Sequence, residues 1–110
     1  MSRFALILYP NFSLQEVTCL TSALAVWFGE EIDYIASENK EYCSEERLRV
    51  VPTKTMADIN ITDYDCVILP GTINPLPALY DERLIDFLKS GINTDVVFAA
   101  ISSSPLLLAK

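Results

Sequence analysis

Ala99-Ala100-Ile101-Ser102-Ser103-Ser104-Pro105 reads as a strand that turns sharply into a helix, with hydroxyls at the bend. Such an elbow pushes its first small residue out above the sheet, with the following N–H groups and the helix dipole behind it. That geometry can present a nucleophile or stabilise an oxyanion, and Ser102 is the residue it would present. Two other stretches carry groups for the same chemistry. Ser13-Leu14-Gln15-Glu16 brings a carboxylate, Glu16, and Pro70-Gly71-Thr72 brings backbone N–H groups, joined by that of Ser103. Each stretch also has a purely structural reading. Ser104 before Pro105 is a good N-cap in any protein. Ser13 and Glu16 have the spacing of a capping box, and Pro70-Gly71 is first of all a turn.

Composition narrows the alternatives. The 110 residues contain no histidine, which removes the commonest metal ligand and the usual general base. Cys19, Cys43 and Cys66 are widely spaced and form no C-x-x-C pair, so neither a disulfide framework nor a zinc site is expected. Cys66, within an apolar run, reads as a buried small hydrophobe. The glycines are Gly29, Gly71 and Gly91, too few and too scattered for a dinucleotide fingerprint or a phosphate-binding P-loop. Neither a cofactor nor a metal is therefore expected. Tyr9-Pro10-Asn11 and Pro70-Gly71-Thr72 also lack the acidic residues of a phosphoacceptor site.

Charge and hydropathy point the same way. A net charge of −7 and a pI near 4.3 argue against a nucleic-acid partner. The acidic residues gathered between Glu30 and Glu46 read as a solvated face. No apolar run approaches the span of a bilayer, and Phe4–Tyr9 is too short for a secretory h-region. The expectation is a cytoplasmic protein without a membrane partner. With 51% hydrophobic residues and a mean hydropathy of +0.29, the chain can bury a core of the kind a two-sided parallel sheet requires.

The elements that must position these groups follow from period and punctuation. Phe4–Tyr9 predicts a buried first strand. Ser13 opens a helix whose apolar face is Leu14, Val17, Leu20, Leu24, Trp27 and Phe28, stopped by Gly29. Ile32–Ala36 predicts a second strand, Ser37–Arg47 a hairpin or loop excursion, and Leu48–Val51 a short strand ended by Pro52. Met56–Ile61 is at most a helical turn. Asp65–Leu69 predicts a strand, Thr72–Pro77 a loop, and Asp81 caps a helix with Leu84, Ile85, Phe87 and Leu88 on its apolar face and Gly91 at its end. Val96–Ile101 is the last strand. Alternation of strands and helices with short connections predicts an α/β fold, doubly wound and flavodoxin-like, with a mostly parallel sheet and helices on both faces. One domain covers residues 1–110. Ending barely two turns into an apolar helix, it reads as the front part of a larger one.

The succession Ala5–Pro10, Glu16, Asp65-Cys66-Val67-Ile68-Leu69-Pro70-Gly71, and Ala99-Ala100-Ile101-Ser102 with Pro105 resembles the ThiJ/PfpI superfamily. This group includes the Parkinsonism-associated deglycase and is related to class I glutamine amidotransferases. The resemblance implies that Glu16 matches the glutamate that hydrogen-bonds a reactive thiol. It implies that Gly71 and Thr72 match a Gly-Gly pair whose amides form the oxyanion hole. Ser102 falls where the family has its nucleophilic cysteine, and Ser103 where many members have a histidine. A serine at the elbow needs an adjacent base where a cysteine does not. Two functions follow as expectations: a weak amidase-, protease- or glyoxalase/deglycase-like hydrolase using Ser102 and Glu16, or a catalytically degenerate domain that binds a small molecule or peptide. The resemblance also implies a homodimer, to which a second apolar side on the first helix (Cys19, Ala23, Val26) would contribute.

Overall fold

The computed structural model describes residues 3–15, 17–72, 74, 76–92, 94–101 and 107–108. The first apolar run forms β1 (Arg3–Ile7), which begins one residue earlier than its sequence pattern and ends two residues earlier. Leu8 and Tyr9 remain buried, and the Leu8 N–H still donates to the Ile35 carbonyl at 2.8 Å. β1 pairs in parallel with β2 (Glu31–Ala36) on one side and β6 (Cys66–Leu69) on the other. In that register Phe4, Leu6, Ile32, Tyr34, Cys66 and Ile68 share one face, and Ala5, Ile7, Ile35 and Val67 the other. Apolar residues on both faces are what a covered parallel sheet demands.

The polar excursion after β2 is a separate antiparallel ribbon, β3 (Tyr42–Cys43) with β4 (Arg49–Val50). The chain then returns to the sheet edge as β5 (Lys54–Thr55), parallel to β2. Two residues are too few to show a period, so this strand has no signature in the sequence. The ambiguous stretch after it resolves into two 3-10 turns, Met56–Asp58 and Ile61–Asp63.

The first helix departs most from expectation. α1 covers Thr18–Ser22 and widens into a π-helical turn over Ala23–Trp27, closed by the Phe28 N–H on the Ala23 carbonyl at 3.1 Å. An i→i+5 turn adds a residue and rotates the residues beyond it away from the helical stripe. Leu14, Val17 and Leu24 pack on the core as expected. Trp27 and Phe28 do not: they are 81% and 71% exposed, and Leu20 is also exposed, while Val26, expected on the second apolar side, is 77% exposed. Gly29 ends the helix with φ +64°, as its position predicts.

The second half keeps closer to its pattern. A short helix, α2 (Leu76–Leu79), begins inside the expected loop. α3 (Glu82–Ser90) is capped by the Asp81 carboxylate, which accepts from the N–H groups of Arg83 and Leu84, and its Leu84, Ile85, Phe87 and Leu88 are buried. β7 (Val97–Ala100) pairs in parallel with β6. Among the described residues the main sheet has the order β5-β2-β1-β6-β7 with every pairing parallel. This is the predicted α/β, flavodoxin-like architecture. The chain leaves β1 towards β2 and later crosses to β6 on its other side, so the order reverses between β1 and β6. Ligands of such sheets bind in the crevice beyond the carboxyl ends of the strands at that reversal.

Candidate functional site

Two of the three loops singled out by sequence meet at this crevice. The loop after β1 and the turn after β6 are joined at several points. The Tyr9 hydroxyl donates to the Pro70 carbonyl, the Ser13 N–H donates to the Gly71 carbonyl at 2.6 Å, and Phe12 lies opposite Thr72 in an antiparallel bridge. The Thr72 hydroxyl is 3.2 Å from the Pro10 carbonyl and accepts from the Asn74 N–H at 3.3 Å. Gly71 and Thr72 are thus seated firmly, with Thr72 buried although its neighbours are loop. The third loop starts on time. The Ile101 N–H donates to the Leu69 carbonyl at 3.0 Å, extending the β6–β7 ladder by one residue. Ser102 and Ser103 come next in the chain, but they lie outside the described residues, as does Glu16.

The loop after β1 is held from a second side by the ribbon. Asn11, with φ +64°, donates its N–H to the Cys43 carbonyl at 2.9 Å, and the Glu45 N–H donates to the Phe12 carbonyl at 2.8 Å. Glu46 then spreads its two carboxylate oxygens over consecutive amides, accepting from Leu14 N–H at 3.1 Å and Gln15 N–H at 3.0 Å. The Gln15 and Leu14 N–H groups hold this carboxyl below the usual carboxylate range, against the small cost of burial.

That arrangement overturns the expected role of Ser13. Its hydroxyl does not cap a helix: it is buried, 1% exposed, with no hydrogen-bond partner. The reason is local. The Ser13 N–H is committed to Gly71, and the Gln15 N–H, two residues on, is already taken by Glu46. Glu46 has no signature in the sequence because it sits among acids that read as a solvated face. Only a three-dimensional return of the Ser44–Arg47 turn onto Leu14 and Gln15 gives it a function.

Cys43 is exposed and Cys66 half-buried, both free thiols. Burial, with a smaller contribution from Asp65, pushes the Cys66 thiol upward and so disfavours its thiolate. Among the described residues no group of His, Cys, Asp or Glu could hold a metal ion. No helix among them is long and apolar enough to cross a membrane.

A second polar cluster lies towards the other end of the strands. The Asp33 carboxylate accepts from the Tyr64 hydroxyl at 2.7 Å and from Arg3 Nη2 at 3.3 Å, and Lys54 Nζ is 3.2 Å away. The Arg3 guanidinium also lies over the Tyr64 ring, 4.9 Å from its centroid. Burial raises the Asp33 carboxyl, but the Tyr64 and Lys54 hydrogen bonds and the two cations outweigh it and hold it low.

Comparison with known proteins agrees with the fold. The family model described as DJ-1/PfpI family matches residues 2–110. DJ-1 protein homolog E of Arabidopsis thaliana is 42% identical over 57 residues, 52% of this chain and 14% of that protein. An uncharacterized protein of Methanocaldococcus jannaschii is 28% identical over 83 residues, 74% of this chain and 40% of that one. The crystal structure of a DJ-1 superfamily protein from Agrobacterium tumefaciens superposes with a TM-score of 0.84 at 23% identity, covering 98% of this chain and 57% of that chain. The chain therefore spans less than two thirds of the length of each of these relatives. On the match over nearly all its residues, it belongs to the DJ-1/PfpI family.

Proposed function

We propose that this is a catalytically degenerate DJ-1/PfpI-family domain that binds a small molecule or peptide at the crevice formed by Glu16, Gly71, Thr72, Ser102 and Ser103. One observation carries the reading: serine stands at the elbow, and these residues contain no histidine to activate it. A carboxylate is a poor base for an alcohol, so Glu16 is a weak activator for Ser102. The Gly71–Thr72 turn supports this reading, since it is tied to the β1 loop at several points. Preorganised amides of this kind can hold an anionic or carbonyl oxygen whether or not a nucleophile is present. The same seated turn favours the second reading, a weak amidase-, protease- or glyoxalase/deglycase-like hydrolase with Ser102 as nucleophile and Glu16 as its partner.

A fluorophosphonate probe of serine hydrolases separates the two. The degenerate reading expects Ser102 to stay unlabelled while Ser102→Cys introduces a thiol that iodoacetamide alkylates readily. Stoichiometric labelling of Ser102, with hydrolysis lost in Ser102→Ala, would establish the hydrolase instead.

The proposal includes a homodimer in the cytoplasm. The free thiols of Cys43 and Cys66 support a reducing compartment. The exposed Val26, Trp27 and Phe28 support pairing through the end of the first helix. Sedimentation velocity tests it: the parent should run as a dimer and Trp27→Asp as a monomer of unchanged thermal stability. A monomeric parent would rule the dimer out.

A further inference from the structure

Glu46 belongs to neither the elbow nor the sheet, yet it is the side chain that fixes the loop against which Gly71 and Thr72 are built. Its carboxylate bonds the amides of Leu14 and Gln15. One residue back, the Ser13 N–H bonds the Gly71 carbonyl at 2.6 Å, and Phe12 bridges Thr72. Both contacts on the far side depend on the path of residues 12–15, and that path has no helical cap of its own, because the Ser13 hydroxyl is unpartnered. Backbone bonds from Asn11 to Cys43 and from Glu45 to Phe12 bring the ribbon alongside. The only side chain the ribbon contributes to the amides of residues 14 and 15, among the described residues, is Glu46.

We infer that Glu46 is a positioning residue: it locks the Phe12–Gln15 loop and through it sets the place of the Gly71–Thr72 amides. This rests on the reading of that turn as part of the binding site. The physical basis is direct. A carboxylate accepting two N–H groups makes charge-assisted bonds, stronger than neutral ones, and the two donors lie in the turn that leads into α1. Because Glu46 sits on an exposed turn, removing its side chain leaves no cavity in the core.

Hydrogen exchange and thiol chemistry together test the assignment. In Glu46→Ala the Ser13 amide, which reports the link to Gly71, should exchange about tenfold faster or more, the scale of one lost charge-assisted bond. The β1 amides should keep their protection, and Glu45→Gln, whose side chain takes no part, should behave as the parent. If Glu46→Ala fails to fold, Glu46→Gln reads the same quantity, since an amide offers one acceptor oxygen where two are needed. In a Ser102→Cys background, adding Glu46→Ala should lower alkylation of the introduced thiol near neutral pH and move its pH profile upward. Unchanged Ser13 exchange would overturn the inference. So would faster Ser13 exchange with an unaltered thiol profile, which would make Glu46 a local clamp only. If the introduced thiol is as slow as exposed Cys43 even with Glu46 intact, the reading of the elbow fails, and Ser13 exchange alone decides the case for Glu46.

Discussion

The two ends of the parallel sheet solve the same problem with different groups. Near the amino ends of the strands, side chains satisfy one another: Asp33 takes Tyr64, Arg3 and Lys54, and Arg3 stacks on Tyr64. Near the carboxyl ends, the backbone does most of the bonding. Carbonyls of Pro70, Gly71, Phe12 and Cys43 accept from neighbouring loops, and one carboxylate, Glu46, serves two amides. The first end is a set of side chains bonded to one another, in which Arg3 Nε is buried without a hydrogen bond, 3.6 Å from a Glu31 carboxylate oxygen. At the second, loops are fixed through their backbones while a buried hydroxyl, Ser13, goes unpaired. The difference separates a cluster built for stability from a surface built for position.

Truncation at the first end should have the largest effect. Asp33→Ala strips three donors of their acceptor at a side chain only 21% exposed, and should cost roughly 2–3 kcal/mol in chemical denaturation. Thiol reactivity at the elbow in a Ser102→Cys background should not change with it. A loss of elbow reactivity at unchanged stability would erase the distinction between the two ends. The pH dependence has a definite sign. Folding holds the Asp33 carboxyl below its ordinary value, so its contribution is complete above about pH 4 and is lost as the pH falls through the folded-state value. Asp33→Asn should therefore flatten the acid limb of the stability profile, and an equally steep limb in that variant would assign it to other carboxylates.

Much of this contrast is legible in the sequence on one side only. Continuous apolar runs at 4–9 and 66–69, and the Asp81–Gly91 cap-to-cap pattern, announce strands and a helix because burial and capping are local. The Pro70–Thr72 turn and the strand leading to Ser102 are likewise visible. Three features are not. The π-helical turn at Ala23–Trp27 breaks a 3.6-residue stripe that runs through Trp27 and Phe28 in the sequence. β5 exists only through its pairing with β2. Glu46 reaches Leu14 and Gln15 across 31 or 32 residues, and no spacing rule encodes a contact made by a returning loop. The capping box at Ser13 fails for the same reason: a distant carboxylate outcompetes a local hydroxyl.

Smaller substitutions sharpen the comparison. Tyr64→Phe removes a single donor from Asp33 while keeping the ring under Arg3, and should cost about 1 kcal/mol. Because that hydroxyl helps hold the Asp33 carboxyl low, the acid limb should also be shallower and end at a higher pH. A loss as large as that of Asp33→Ala would mean that the three donors act as one unit rather than as separable bonds.

The smallest effect carries the most information, because its sign is in question. A helix-capping Ser13 would cost about 0.5–2 kcal/mol on replacement by alanine. Here the hydroxyl is buried and unpartnered, so Ser13→Ala removes a desolvated polar group and leaves the Ser13–Gly71 backbone bond untouched. The expected result is a neutral or slightly stabilising change, up to about 1 kcal/mol, in the denaturation midpoint. The partner experiment is the same substitution combined with Glu46→Ala. With the carboxylate gone, the Leu14 and Gln15 amides again lack an acceptor, and the Ser13 hydroxyl becomes the nearest local candidate. Ser13→Ala should then turn destabilising in the Glu46→Ala background. A destabilising Ser13→Ala in the parent would restore the local cap and demote Glu46 to a spectator of the loop.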